Sequence, residues 1–122
     1  MISHRLPHEP ASAGIARARV RAELGGWGTS ERVEDAMLLV TELIANAVIH
    51  GKPEICLDVD VDGSTSLLLV RVTDGSPLLP RLSDGRSPGR GLGIVDSLAD
   101  RWGVEPLPDE QDGKRVWFEL LG

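Results

Sequence analysis

The chain has 122 residues, a formal net charge of −6 and a hydrophobic fraction of 41%. This length allows one domain with a buried core and is too short for two, so we expect a single domain over residues 1–122. The negative charge and the scattered lysines and arginines argue against a nucleic-acid partner, and no apolar run reaches membrane-spanning length, which argues against a membrane protein.

The first elements are short. Residues 4–6, ahead of Pro7, predict an edge strand. Residues 10–24 predict a helix that tolerates a proline in its first turn and ends at the two glycines that follow. We expect its arginines to lie in solvent and its buried positions to be Ile15, Ala18, Ala22 and either Val20 or Leu24.

The longest predicted helix starts near Thr29 and ends at Gly51. Thr29 or Ser30 can cap its N-terminus, and glycine is the usual residue just beyond a helix C-terminus. One face carries apolar residues at helical spacing: Val33, Ala36, Val40, Leu43, Ile44 and Ala47. The other side is also apolar, through Leu38, Leu39 and Ile49, so we expect much of this helix to be buried.

Glu42 and Asn46 lie one turn apart on that second side. Burying a carboxylate without a partner is costly, so the two side chains predict a cavity that a polar ligand fills. The alternative is that the two side chains line a solvent-filled groove on a half-exposed helix. The helix alone does not decide between them.

Two alternating segments around Asp62-Gly63 predict a hairpin. In the first, over residues 54–61, Cys56 falls on the polar outer side. It is the only cysteine, so no internal disulfide can form, and an unpaired thiol suits a reducing compartment. The N-terminus also lacks the apolar core of a signal peptide, and we expect a cytoplasmic protein.

The second strand of the hairpin runs from about Ser66 to Asp74. By period two, Asp74 is in phase with the apolar residues Leu68, Val70 and Val72. If that face packs on the helices, a carboxylate points toward the core at the end of the strand. The alternative is a solvent-facing Asp-Gly turn, which is common at such positions.

Residues 75–88 predict a long loop of the kind that often binds ligands. The next run opens a helix and consists of Gly89, Arg90, Gly91, Leu92 and Gly93. Glycines allow a ligand to approach the backbone closely, and the start of a helix offers free N–H groups to anions. The helix is expected to face the core through Leu92, Val95, Leu98 and Ala99. Two last strands are predicted near residues 102–106 and 114–121.

Taken in this order, the segments resemble the GHKL ATPase superfamily, which includes gyrase and the sensor histidine kinases. Residues 42–51 look like its N box, residues 73–77 like its G1 box and residues 89–95 like its G2 box. The short chain and residues 99–104 are similar to one branch, the bacterial anti-sigma regulatory factors, also called anti-sigma factor serine kinases. The resemblance covers about residues 6–120.

The resemblance implies an α/β (α+β) two-layer sandwich, with helices on one face of a mixed, mainly antiparallel sheet (a Bergerat-type ATP-binding fold). It implies ATP and Mg²⁺ as cofactors, with Asn46 as the metal ligand and Glu42 as the catalytic base. Asp74 would accept a hydrogen bond from the adenine amino group. The other residues implied in cofactor binding are Gly75, Gly89, Arg90, Gly91, Leu92 and Gly93.

The implied partners are a sigma factor and an anti-anti-sigma (STAS-type) protein, whose serine would receive the phosphoryl group; a homodimer is also implied. The sequence departs from the family at the start of its last strand, Gly113-Lys114-Arg115. Relatives often carry a threonine near this segment that helps to bind adenine, and none is present here. This departure and the short loop favour an alternative function, a non-catalytic ATP- or partner-binding regulator of the same fold.

Overall fold

A computed structural model describes residues 1–77, 92–108 and 111–122. The elements in chain order are β1 (Ile2–Leu6), α1 (Ser12–Leu24), α2 (Ser30–His50), β2 (Ile55–Asp62), β3 (Leu67–Asp74), α3 (Leu92–Leu98), β4 (Arg101–Pro106) and β5 (Lys114–Leu121). The predicted loop after Ser76 and the glycine run at 89–91 lie largely or wholly outside the described residues.

The strands form one five-stranded sheet in the order β1-β2-β3-β5-β4. Every strand pair in the described part of the chain is antiparallel, which confirms the mainly antiparallel sheet. β1 is an edge strand, as predicted. β5 lies between β3 and β4, and its first residue, Lys114, is the cross-strand partner of Asp74, the last residue of β3.

The helices cover one face of this sheet, as expected. Alternate residues of β3 and β5 point to that face and are buried; they are Leu68, Val70, Val72, Val116, Phe118 and Leu120. α2 contacts both strands, and α1 contacts α2 and β2. Full burial of each such side chain contributes about 1.5–3 kcal/mol, so the layer between helices and sheet is the main source of stability.

The predicted ends of α2 are confirmed. The Thr29 hydroxyl accepts a hydrogen bond from the Arg32 amide at 3.1 Å, and the Gly51 amide donates to the Ala47 carbonyl at 3.1 Å. The expectation that the helix is apolar and buried on both sides is wrong for two residues. Leu38 and Ile49 are 43% and 54% exposed, because the sheet and the neighbouring helices cover only part of the helix circumference.

The predicted buried face of α1 is right for Val20 and Leu24 and wrong for Ile15, Ala18 and Ala22, which are exposed. The buried residues are Ser12, Ala16, Val20 and Leu24. Polar contacts fix this orientation: the Ser12 hydroxyl donates to the Pro7 carbonyl, and Arg17 donates to the Thr41 hydroxyl of α2 at 3.0 Å. Alternating alanines and arginines carry little information about which face is buried, so these tertiary contacts decide it.

Among the described residues, no helix is long and apolar enough to cross a membrane.

Candidate functional site

Three backbone segments meet at one end of the inner sheet face: the C-terminus of α2, the end of β3 and the start of β5. Asp74 lies at their junction and is only 2% exposed. It shares the inner face with Val72, as the period-two pattern predicts. The core-side position of this carboxylate is therefore confirmed, and the alternative of a solvent-facing turn is wrong.

The Asp74 carboxylate is held by a buried cation and by backbone amides. The Lys114 ammonium lies 3.0 Å from Oδ2 and 3.1 Å from Oδ1. Oδ1 also accepts from the amides of Ser76 at 2.7 Å and of Lys52 at 3.4 Å. Lys114 is 3% exposed and donates in addition to the Ser76 carbonyl at 3.4 Å. The buried charge is thus paired and hydrogen-bonded, which is the condition under which burial is tolerated.

Glycines allow the chain to close around Asp74. A Cβ atom at Gly51 would lie 2.5 Å from the Asp74 Cγ atom and 2.5 Å from the Ala47 carbonyl oxygen. Gly113 has a φ of 135°, which favours glycine, and a Cβ there would collide with the Asp74 carbonyl oxygen. The Gly75 amide donates to the Lys52 carbonyl at 2.7 Å. The last residue of the predicted N box therefore abuts the aspartate of the predicted G1 box.

Asn46 lies about one turn before the C-terminus of α2 and is 5% exposed. Its buried Nδ2 has no hydrogen-bond partner among the described residues. An unsatisfied buried polar group costs about 1–3 kcal/mol, so it calls for an explanation such as a bound ligand. A half-turn of the amide presents the side-chain oxygen at the same point, so the residue suits either an anionic acceptor or a hard cation.

Glu42 lies one turn before Asn46 and is half-buried. Burial raises the pKa of its carboxyl group above the ordinary value, because the charged form loses solvation. None of the hydrogen bonds or ion pairs among the described residues involves it. A carboxylate with a raised pKa and no partner in this part of the chain is suited to accept a proton.

The other end of the predicted site is only partly described. Gly89, Arg90 and Gly91 lie outside the described residues. Leu92 begins α3 and is a core residue at 1% exposure, so its backbone rather than its side chain is available to a ligand. Gly93 follows on the first turn of α3, and α3 contacts α2.

The role of Lys114 was not predicted from the sequence, where the start of β5 stands out only for lacking a threonine. A usable signal was present: Lys114 is in phase with Val116, Phe118 and Leu120, which predicts an inward side chain at the end of the strand. An inward lysine requires an anionic partner, and Asp74 supplies it.

No group of three or more histidine, cysteine, aspartate or glutamate side chains suited to a metal ion occurs in the described ranges.

The family model for a histidine kinase-like ATPase domain matches residues 6–120. No curated protein gives a significant match to the chain. The matched range contains Glu42, Asn46 and Asp74, and also Lys114.

Proposed function

The chain belongs to the histidine kinase-like ATPase domain family, and we propose that it is an ATP-binding anti-sigma regulatory factor with protein-serine kinase activity toward an anti-anti-sigma partner. The observation that carries the proposal is the buried amide of Asn46, which has no partner among the described residues and lies about one turn before Gly51, the residue that abuts the enclosed carboxylate of Asp74. A ligand with polar groups at both ends would supply partners to Asn46 and Asp74 together. A nucleotide is such a ligand, because it carries a base at one end and charged phosphates at the other.

In this proposal the base binds at the Asp74 end, and the phosphates lie along α2 and near the start of α3. Asn46 would hold Mg²⁺, an ion that usually takes one or two protein ligands and fills its shell with phosphate oxygens and water. The residue fits that habit, because its buried amide has no partner among the described residues and can present its oxygen as a hard ligand. The metal would neutralise charge on the phosphates during transfer.

Glu42 acts as the general base in this mechanism. It takes the proton from the hydroxyl of a partner serine while that oxygen bonds to the γ-phosphorus and ADP leaves with the bridging oxygen. Glu42 and Asn46 are separated by one helical turn, or roughly 6 Å of axial rise, so a phosphate chain held at Asn46 would have the Glu42 carboxylate within one turn of it. Its raised pKa improves its match to a proton-accepting role near neutral pH.

The proposed partners are a sigma factor and a STAS-type anti-anti-sigma protein, and the proposed assembly is a homodimer in the cytoplasm. The similarity of residues 99–104 to the anti-sigma branch supports this part of the proposal.

A second function has a specific observation in its favour. A regulator of the same fold that binds ATP or a protein partner without phosphate transfer is favoured by Lys114. It lies in the segment where the resemblance leads one to expect a threonine, and it is already engaged with Asp74.

Calorimetric titration with ATP, with and without Mg²⁺, tests the nucleotide site. Wild-type protein is expected to bind ATP in a Mg²⁺-dependent manner, and Asn46→Ala is expected to lose that binding. Ile49→Ala is a matched control, because Ile49 lies on the same helix but is 54% exposed. Unchanged affinity in Asn46→Ala would contradict the metal assignment.

Transfer of labelled phosphate from ATP to a STAS-type protein of the same organism separates the two functions. The kinase proposal predicts transfer by the wild type and its loss in Glu42→Gln, with ATP affinity kept. ATP binding without any transfer would favour the non-catalytic regulator.

A further inference from the structure

The base end of the site is formed by an ion pair and not by a lone carboxylate. Asp74 and Lys114 are cross-strand neighbours at the ends of β3 and β5, and both are almost fully buried. The pair therefore faces whatever base enters this end as one unit. Its hydrogen-bonding capacity decides which bases fit.

The two members of the pair differ in freedom. Oδ1 of Asp74 is fixed by the backbone amides of Lys52 and Ser76, whereas Oδ2 is contacted only by Lys114 within the described residues. Lys114 has a flexible stem, and its weakest contact is the 3.4 Å bond to the Ser76 carbonyl. A base can therefore use Oδ2 as an acceptor and take one ammonium proton, with Lys114 still held by Asp74.

A lone buried carboxylate would strongly select a 6-amino purine. The exocyclic amino group of adenine donates to it, whereas the C6 oxygen of guanine or hypoxanthine would face a negative charge without a proton between them. An ammonium beside the carboxylate removes that penalty. It donates to N1 of adenine while Oδ2 accepts from the 6-amino group. It donates equally well to a C6 oxygen while Oδ2 accepts from N1–H.

We propose that Lys114 sets the base selectivity of this site and makes it tolerant of 6-oxo as well as 6-amino purine nucleotides. This inference rests on the proposed nucleotide-binding function and specifies the substrate class of the same site.

The test compares ATP with ITP, which differ at the purine 6 position and in protonation of N1. Dissociation constants are measured by calorimetry for the wild type, Lys114→Thr and Lys52→Thr. Lys52 is the matched control because its side chain is exposed and only its backbone amide contacts Asp74. Circular dichroism checks that each variant is folded.

The dissociation constant of the wild type for ITP is expected to lie within about threefold of that for ATP. Lys114→Thr is expected to raise the ITP-to-ATP ratio of dissociation constants by about tenfold or more, because the C6 oxygen of ITP would then be buried without a donor. Lys52→Thr should leave the ratio unchanged.

A wild-type preference for ATP of about thirtyfold or more would overturn the inference even if Lys114→Thr failed to fold, because it exceeds what a neutralised carboxylate allows. An equal ratio in the wild type and in folded Lys114→Thr would also overturn it. In both cases the proposed ATP-binding function would survive. A wild type that binds neither nucleotide would remove the proposed function and this inference together.

Discussion

Replacing Lys114 by methionine removes the cation from a buried pair and leaves the Asp74 carboxylate with only its backbone donors. The two charges lie 3.0 Å apart, so at an effective dielectric constant of about 20 their attraction is about 5 kcal/mol. Breaking a buried pair by removing one partner typically costs about 3–5 kcal/mol. That is a large share of the roughly 5–15 kcal/mol that stabilises a domain, and it lowers the melting temperature by about 10–20 °C.

The double variant Asp74→Asn/Lys114→Met distinguishes this reasoning from a simple packing defect. An asparagine oxygen still accepts from the two backbone amides, and no charge remains unpaired. Replacing both members of a buried pair is often neutral, so the double variant should recover to within about 1 kcal/mol of the wild type.

Urea denaturation monitored by circular dichroism measures both variants. Arg115→Met is the control, because Arg115 pairs with Glu105 at 3.2 Å on the half-exposed side of the same strand. It should cost less than about 1 kcal/mol. If Lys114→Met is as stable as the wild type, or if the double variant is no more stable than Lys114→Met, an unpaired buried charge on Asp74 is not what destabilises the variant.

Three further predictions concern the same end of the molecule. Gly51→Ala should destabilise the fold by about 1–3 kcal/mol in urea denaturation, because the added Cβ would overlap Asp74. The control Gly63→Ala, where nothing lies within 4 Å of the added Cβ, should change stability by no more than about 0.5 kcal/mol. Equal effects of the two substitutions would contradict the predicted overlap at Gly51. Asn46→Leu should raise thermal stability by about 1–2 kcal/mol while abolishing ATP binding, because it removes an unsatisfied buried donor; a destabilised variant would show that the amide has a structural partner. Burial raises the pKa of Glu42, so ionising this side chain costs more in the folded state than in the unfolded state. The folded state is therefore relatively favoured at low pH, and this contribution to the free energy of unfolding is lost as pH rises through the folded-state pKa. Glu42→Gln should therefore be more stable than the wild type at pH 7 by less than about 1 kcal/mol, and the difference should vanish below about pH 4; a difference that grows on acidification would contradict the sign.

Most of the fold could be predicted from local chemistry. Thr29 and Gly51 mark the ends of α2 because capping depends on the residues at the ends themselves. The alternation of apolar and polar residues in β2 identifies its inner face, and period two carries Asp74 onto the inner face of β3, because neighbouring side chains of a strand point to opposite sides. The face of α1 escaped prediction because it depends on contacts with Pro7 and Thr41, which are set only when the chain has folded.

The candidate site could be predicted only in part. Asn46 and Asp74 stand out because polar side chains interrupt apolar patterns, and both are buried where the patterns place them. The partner of Lys114 could not be predicted, because Lys114 meets Asp74 only when β5 pairs with β3. The order of strands in the sheet cannot be deduced from the residue pattern of any single strand.

The position of Cys56 provides a route to observing this site. It pairs across β2 and β3 with Thr73, the residue before Asp74, and its side chain lies on the opposite face of the sheet. Because it is the only cysteine in the sequence, a thiol-reactive fluorophore would attach at this one point without mutagenesis. The dye would lie one sheet thickness behind the base end and outside the space that a ligand fills. A change in its emission on addition of nucleotide would report occupancy of the site in a chain that carries no substitution.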